Sequence, residues 1–391
     1  MTTLHTHQTH SVPSITSPNI LITGAAGYIG GSILAEFICR ASGPIKTANI
    51  SAAVRTEEQV RSLSKLGVNI IQVDLSDEAA VSEAVLRNEI DIIVHTASSS
   101  NSRLASNLIK VLGQRRKVSG NETYFIHSSV TTIFLKKAAG RMARLGIRIR
   151  YSRRRNRLED LTLPESKTNI LVTEHAKAHG VTSFNVAVPV VYGRGSGEWR
   201  RLSVNIPAFS MAHKAVYMFD KDSTNVPPSH LASTRVTVII LDQCVNALIE
   251  PTYGPHLKPN SVLCSSRGEG LILHKEAIPS GEQGYYFAFA HRASWWGVMQ
   301  RLADALYARG LVAEPKVQVW PSYEMAAEYL GCPRQHIRAI GTSSGQLVPV
   351  NAYRVGWQPK WDQERFLESM DDEIQAVLEL DTVKPTLFDS V

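Results

Sequence analysis

Asn19–Ile38 reads NILITGAAGYIGGSILAEFI. An apolar run ends in Thr23-Gly24, and apolar residues then recur at helical spacing from Ile29 to Phe37. The first part reads as a buried strand and the second as a helix facing a core. Between them Gly24, Gly27 and Gly30 fall three residues apart. Gly24 suits a tight turn out of the strand, Gly27 close approach of the backbone to a pyrophosphate, and Gly30 packing of the helix on the sheet. The helix start would offer unpaired N–H groups to an anion. The plain alternative is a structural turn, but a strand before and a helix after favour a dinucleotide.

The chain continues in the same style. Strands are predicted at ISAAVR (from Ile50), VNIIQVDL, IDIIVHTAS, TYFIHSSV and TSFNVAVPVVYG. Helices are predicted at EEQVRSLSKLG, closed by Gly67, at DEAAVSEAVLRN, capped by its acid, at SRLASNLIKVLGQ and at KTNILVTEHAKAHG. This alternation means βαβ units and an α/β fold, a Rossmann-type doubly wound parallel sheet covered on both faces. After Gly193 prolines, longer loops and aromatic clusters suggest a smaller C-terminal α/β annex on the substrate side. The expected organisation is a polar tail over 1–18, a nucleotide-binding domain over 19–195 and a substrate-side region over 196–375. Some elements of that region return to the sheet, and 376–391 forms a C-terminal tail. Lys258–Gly284 reads as a long loop, and YYFAFAHRASWW (Tyr285–Trp296) as a strand leading into a helix.

The chain has 391 residues and a net charge of +7. Eight arginines and no acid lie in Arg141–Arg157, and without them the remainder carries −1. The basic character is therefore one patch inside a loop expected over 134–165. No RNA- or DNA-binding signature accompanies it, and a charge run of this kind reads as a solvated loop and not a nucleic-acid site. No stretch reaches the roughly 20 apolar residues of a membrane span. The start lacks a signal-peptide pattern, and Cys39, Cys244, Cys264 and Cys332 form no paired ligand motif, so a cytoplasmic protein with free thiols is expected. His5, His7 and His10 read as part of the polar tail, and no metal site is expected.

The end of the second strand chooses between nicotinamide cofactors. Arg55 stands where a carboxylate would favour NAD, and a cation there suits the 2′-phosphate of NADP, with NAD the alternative. Asp74 suits the adenine edge or a helix cap.

The segments ITGAAGYIGG, VDLSD, IIVHTAS, IHSSVTTI, VPVVYG and GWQPKW (Gly356–Trp361) resemble the extended short-chain dehydrogenase/reductases, the NAD-dependent epimerase/dehydratase family. More narrowly they resemble fungal members found beside secondary-metabolite genes. The resemblance runs from Asn19 to about Trp361. It implies oxidation or reduction of a carbonyl or alcohol on a small-molecule substrate. It also implies cofactor contacts from Thr23, Gly24, Gly27, Tyr28, Ile29, Gly30, Arg55, Asp74, Leu75, Thr96, Ala97 and Pro189. Ser129 would hold the substrate oxygen, with Thr131 as its substitute. Asp242 resembles the family's helix-start aspartate in the annex.

The family's acid/base is a Tyr followed four residues on by a Lys, which draws the phenol toward neutrality. Counting back from Glu174, those places hold Ser166 and Ile170. Lys167 is off the needed face. Tyr151 is followed by Arg155, and the only Tyr-x-x-x-Lys, Tyr217 with Lys221, lies in the annex. Either Phe134–Glu165 is abnormal, as a misread exon boundary would make it, or another acid serves, with His127 and His175 the chemical candidates. A non-catalytic NADP-binding regulator of the NmrA-like kind is the rival.

Overall fold

Seven runs of apolar residues pair side by side because each has two faces to bury. In the computed structural model these strands are β1 (Asn19–Thr23), β2 (Ile50–Val54), β3 (Asn69–Gln72), β4 (Ile90–His95), β5 (Tyr124–Val130), β6 (Thr182–Val188) and, from far along the chain, β10 (Tyr285–Phe287). Their order is β10-β6-β5-β4-β1-β2-β3, and every neighbouring pair is parallel. The structure describes residues 17–39, 45–131, 164–211, 215–220, 229–233, 278–288, 290–331, 333, 334, 337, 347–355, 357, 359 and 361–380.

The period of two along each strand divides the core. Ile20, Ile22, Ile92, Val94, Ile126 and Val186 pack with Ile33, Leu34 and Phe37 of α1 (Tyr28–Ile38). Leu21, Ile93 and Phe125 face the other way. They meet α3 (Glu78–Arg87), α4 (Ser102–Ser119) and α5 (Pro164–His179) through Val81, Val85, Leu108, Leu112, Val172 and Ala176. Helix α2 (Glu57–Leu63) starts on a capping box between Thr56 and Gln59. Asp77 caps α3, accepting from the N–H groups of Ala79 at 2.9 Å and Ala80 at 3.1 Å.

The annex has its own core. A three-stranded sheet joins β7 (Val190–Tyr192), β9 (Ser229–Ser233) and β11 (His291–Ala293), and a parallel pair joins β8 (Val216–Met218) to β12 (Val317–Val319). These strands pack with α6 (Asn205–Met211), α7 (Trp295–Ala308), α8 (Tyr323–Tyr329), α10 (Gln363–Glu368) and α11 (Met370–Leu380) around Phe209, Met218, Leu302, Trp320 and Phe366. The aromatic cluster forms two strands: β10 extends the main sheet beside β6, and β11 stays in the annex. Helix α9 (Val350–Arg354) packs on β10, and Trp357 of the GWQPKW segment is fully buried in the sheet core.

Several boundaries differ from the sequence reading; TSFNVAVPVVYG, expected as one strand, splits at Pro189 into β6 and β7, which lie in different sheets. Helix α4 continues past Gln114 to Ser119. Helix α5 starts at Pro164, inside the span read as a loop, because proline is at ease in a first helical turn. Residues 376–380, read as tail, belong to α11, with Ala376 buried. The arginine run, Asp242, most of the tail over 1–18 and most of the long loop lie outside the described residues. Among the described residues no helix is long and apolar enough to cross a membrane.

One ion pair ties α4 to the base of the sheet. Arg115 reaches Asp91 at 3.2 Å, and both side chains are largely buried, at 12% and 14% exposure. The second carboxylate, Glu89, sits 3.7 Å from Arg115 and is 67% exposed. Removing Asp91 leaves a nearly buried cation with only the exposed Glu89 beside it, whereas Glu89 keeps most of its hydration. Asp91→Ala should therefore cost about 3 kcal/mol in urea unfolding and Glu89→Ala less than about 1 kcal/mol. Equal costs would show that the buried pair does not anchor α4.

Candidate functional site

The strand order reverses between β1 and β4, and in such sheets the crevice at the carboxyl ends of those two strands receives ligands. The glycine turn fills that place. Gly24 has φ +71°, and a Cβ there would lie 2.8 Å from both N and Cα of Ala97. Gly27 N–H closes the turn on Gly24 O at 2.8 Å. A Cβ at Gly30 would collide with Gly24 O and Thr96 Oγ1. Thr96 completes the joint by donating its hydroxyl to Thr23 O at 2.7 Å. The first turn of α1 therefore lies against the end of β4 with no side chain between.

Helix α1 begins at Gly27 with no side-chain cap and no acid in its first turn. No side chain caps its leading N–H groups. A pyrophosphate fits that donor set, since it brings the negative charge that the helix lacks. The other predicted cofactor contacts lie along the same carboxyl edge. Arg55 is exposed just past β2, where its carbonyl accepts from Gln72 Nε2 at 3.3 Å. Asp74 is exposed after β3 and accepts from Ser76 N–H at 2.8 Å. That bond holds its carboxyl below the usual range, helped by Arg103 and Arg55. Tyr28 and Leu75 are buried, Ile29 packs on the core, Ala97 is exposed beyond β4, and Pro189 is buried between β6 and β7.

Next along the edge is a cluster of buried polar side chains. Ser129 is fully buried and its Oγ has no hydrogen-bond partner among the described residues. Thr131, just past β5, is also buried. His127, two residues before Ser129, projects to the same face, and neither of its ring nitrogens finds a partner. Its ring stacks 5.5 Å from that of His95, directly opposite on β4, whose Nδ1 lies 2.8 Å from Thr23 Oγ1. Opposite His127 on β6 stands Asn185, which donates to Thr173 Oγ1 of α5 at 3.3 Å. Asn169 of α5 is buried with both amide atoms unpartnered. Unsatisfied buried polar groups are rare, and this group gathers beside the position expected to hold the substrate oxygen.

Helix α5 buries Thr168, Asn169, Val172, Thr173 and Ala176. Ser166 and Ile170 are half-buried and Lys167 is exposed. His175 joins α5 to α4, its Nδ1 3.2 Å from Ser106 Oγ. Tyr217 stacks on Trp320 at 4.5 Å in the annex core. Burial holds His127 well below the usual imidazole range, with His95 adding to it, and burial alone pushes His95 down to about 4. Burial disfavours the charged form of both rings, which suits them to orient a hydroxyl and not to act as imidazolium acids. Among the described residues no group of three or more His, Cys, Asp or Glu could hold a metal ion.

The sequence reading missed Asn169, Thr173 and Asn185. Asn185 sits inside the apolar strand TSFNVAV, and a polar residue at an inward strand position was its available signal. Thr168, Asn169 and Thr173 dilute the apolar stripe of α5, which hid the helix's buried face.

Residues 20–120 match the family described as "NAD dependent epimerase/dehydratase family". The motif resemblance is thus upheld over the cradle and first four strands. No curated protein matches. A partial-consensus L-threonine 3-dehydrogenase is 14% identical, with 92% of this chain and all of that one covered and a TM-score of 0.57. UDP-glucose 4-epimerase of Thermotoga maritima, solved with UDP-glucose, is 13% identical over 92% of this chain and 99% of its own, at 0.54. dTDP-glucose 4,6-dehydratase of Bacillus anthracis, solved with NAD, is 11% identical over 93% and 97%, at 0.57. At such identities these likenesses establish the shared fold, annex included.

The buried histidines make acid stability a readout of the cluster. Their folded-state values are depressed, so the unfolded chain takes protons first as pH falls below about 6.5, and stability is lost from there toward about 4. His95→Asn should remove roughly 2 kcal/mol of the loss between pH 7 and pH 5, measured by chemical denaturation at both values. His127→Asn should act in the same direction. An unchanged pH 7-to-5 difference in both variants would mean that the rings are hydrated.

Proposed function

We propose that this protein, which carries the epimerase/dehydratase family pattern over residues 20–120, is an NAD(P)-dependent oxidoreductase. Its substrate would be a carbonyl or alcohol of a small metabolite, in keeping with a role in secondary metabolism, and its compartment the cytoplasm. The observation that carries this reading is the uncapped start of α1, pressed through Gly24 and Gly30 against the end of β4, with Ser129 on the adjacent strand β5. The nicotinamide, when bound, gives a hydride to a carbonyl carbon or takes one from an alcohol carbon. Tyr28, Ile29 and Gly30 would present the N–H groups that hold a pyrophosphate. Ser129 would hold the substrate oxygen, with Thr131 beside it. His127 and the amides of Asn169 and Asn185 would orient that hydroxyl or a water bound to it.

Arg55 and the nearby Arg103 favour NADP, because a 2′-phosphate brings charge to a point where both cations already act on Asp74. Several solved proteins of this fold hold NAD, as the Bacillus anthracis dehydratase does, and NAD is the alternative here. A second reading, the cofactor-binding regulator, draws on Ser166 and Ile170 at the places of the acid and its lysine.

Fluorescence titration separates the cofactors and turnover separates the two readings. NADPH should bind more tightly than NADH, and Arg55→Ala should narrow the gap by about tenfold, the worth of one charge-assisted hydrogen bond. Equal affinities in the wild type would remove Arg55's role. NADPH consumption over a ketone panel should be slow in the wild type, because a missing general acid costs about 10²–10⁴-fold. The double substitution Ser166→Tyr with Ile170→Lys should raise it, and either alone should do little. Fast wild-type turnover would show that another acid is in place, and binding without turnover in every variant would favour the regulator.

A further inference from the structure

The loop after β7, Gly193 to Arg201, binds two distant parts of the chain together. Gly193 N–H donates to Glu373 Oε1 on α11. The carbonyl of the same residue accepts from the Tyr28 hydroxyl at 2.6 Å. Ser196 N–H donates to Ser32 Oγ at 3.2 Å, and Ser32 Oγ donates back to Tyr28 O at 2.7 Å. The fit is close enough to need glycine. A Cβ at Gly195 would lie 2.9 Å from the Tyr28 ring, and one at Gly197 would lie 2.9 Å from the backbone of Gly31. Glu198 pairs with Lys65 at 2.7 Å, and Arg201 closes the loop on Gly197 O at 2.9 Å.

Glu373 sits where an apolar residue belongs. It is 3% exposed and lies between buried Met370 and Ile374 on the inner face of α11. Burial pushes its carboxyl up to about 7, so the position is unfavourable for a charge. A carboxyl there is poor filler. What it supplies that a leucine would not is an acceptor for Gly193 N–H, in either protonation state, with the Ser203 hydroxyl also acting on it.

We propose that Glu373 is a positioning residue: through Gly193 it holds Tyr28 and the first turn of α1 in place, so that the annex helix α11 sets the geometry of the dinucleotide cradle. The link to the cradle's ligand rests on the cofactor reading above, but the mechanical coupling does not. No atom of Glu373 needs to touch the cofactor. One hydrogen bond from α11 to Gly193 and one from Gly193 to Tyr28 connect the two cores.

Amide exchange on the full chain without ligand, joined to NADPH titration, tests this. Glu373→Ala should speed exchange in peptides covering 193–201 and also in those covering 28–34, on the far side of the loop. It should weaken NADPH binding about tenfold or more. Glu373→Gln keeps the acceptor and should leave both readouts near wild type. Tyr28→Phe removes only the second bond. It should loosen 28–34 and 193–201 while leaving 370–380 unchanged, which keeps the test decisive if Glu373→Ala does not fold. The proposal is overturned if exchange in 28–34 is unmoved by Glu373→Ala and by Tyr28→Phe, or if Glu373→Gln is as damaging as Glu373→Ala. Faster exchange in 28–34 in a protein whose wild type binds no dinucleotide would uphold the coupling and reject the cofactor reading.

Discussion

The backbone contact between the β1–α1 turn and the end of β4 governs the site. Gly24 and Gly30 leave no room for a side chain between α1 and Thr96–Ala97, and Thr96 fastens the two strands through Thr23. That closeness brings the helix start to the point where the strand order reverses. It also leaves Gly27 as a cap with no polar side chain, so the positive end of the helix dipole meets the crevice unscreened. Without this contact the remaining residues of the carboxyl edge would be scattered loop positions. With it, Arg55, Asp74, Ser129 and Pro189 lie along one line that a dinucleotide and its substrate could follow.

Among the described residues, the buried polar groups beside Ser129 are histidines and amides. Burial disfavours the charged form of His95 and His127, and Lys167 faces away. Asn169 and Asn185 offer amides, which orient but do not ionise. On the proposed reading, these groups would align a substrate but would not give it a proton.

The sheet was legible because each strand is a short apolar run and each glycine of the cradle answers to a specific steric need. The same logic found Asp77 as a cap and Gly67 as a stop. It failed at two helices. The span 134–165 reads as loop because of its arginine run, and that reading takes in the start of α5 at Pro164. Glu373 disguises the inner face of α11, whose last turns were read as tail. These two helices carry long-range hydrogen bonds that periodicity cannot register, since a side chain's partner 180 positions away leaves no local pattern. The NADP preference stays a matter of one cation at a strand end, a weaker signal than three glycines.

A crystal structure of the protein soaked with NADP⁺ tests the central claim most directly. The account predicts pyrophosphate oxygens within hydrogen-bond reach of the N–H groups of Tyr28 and Ile29, with the nicotinamide running toward Ser129. A dinucleotide bound elsewhere, or a cradle still empty at saturating NADP⁺ in the folded protein, would contradict it.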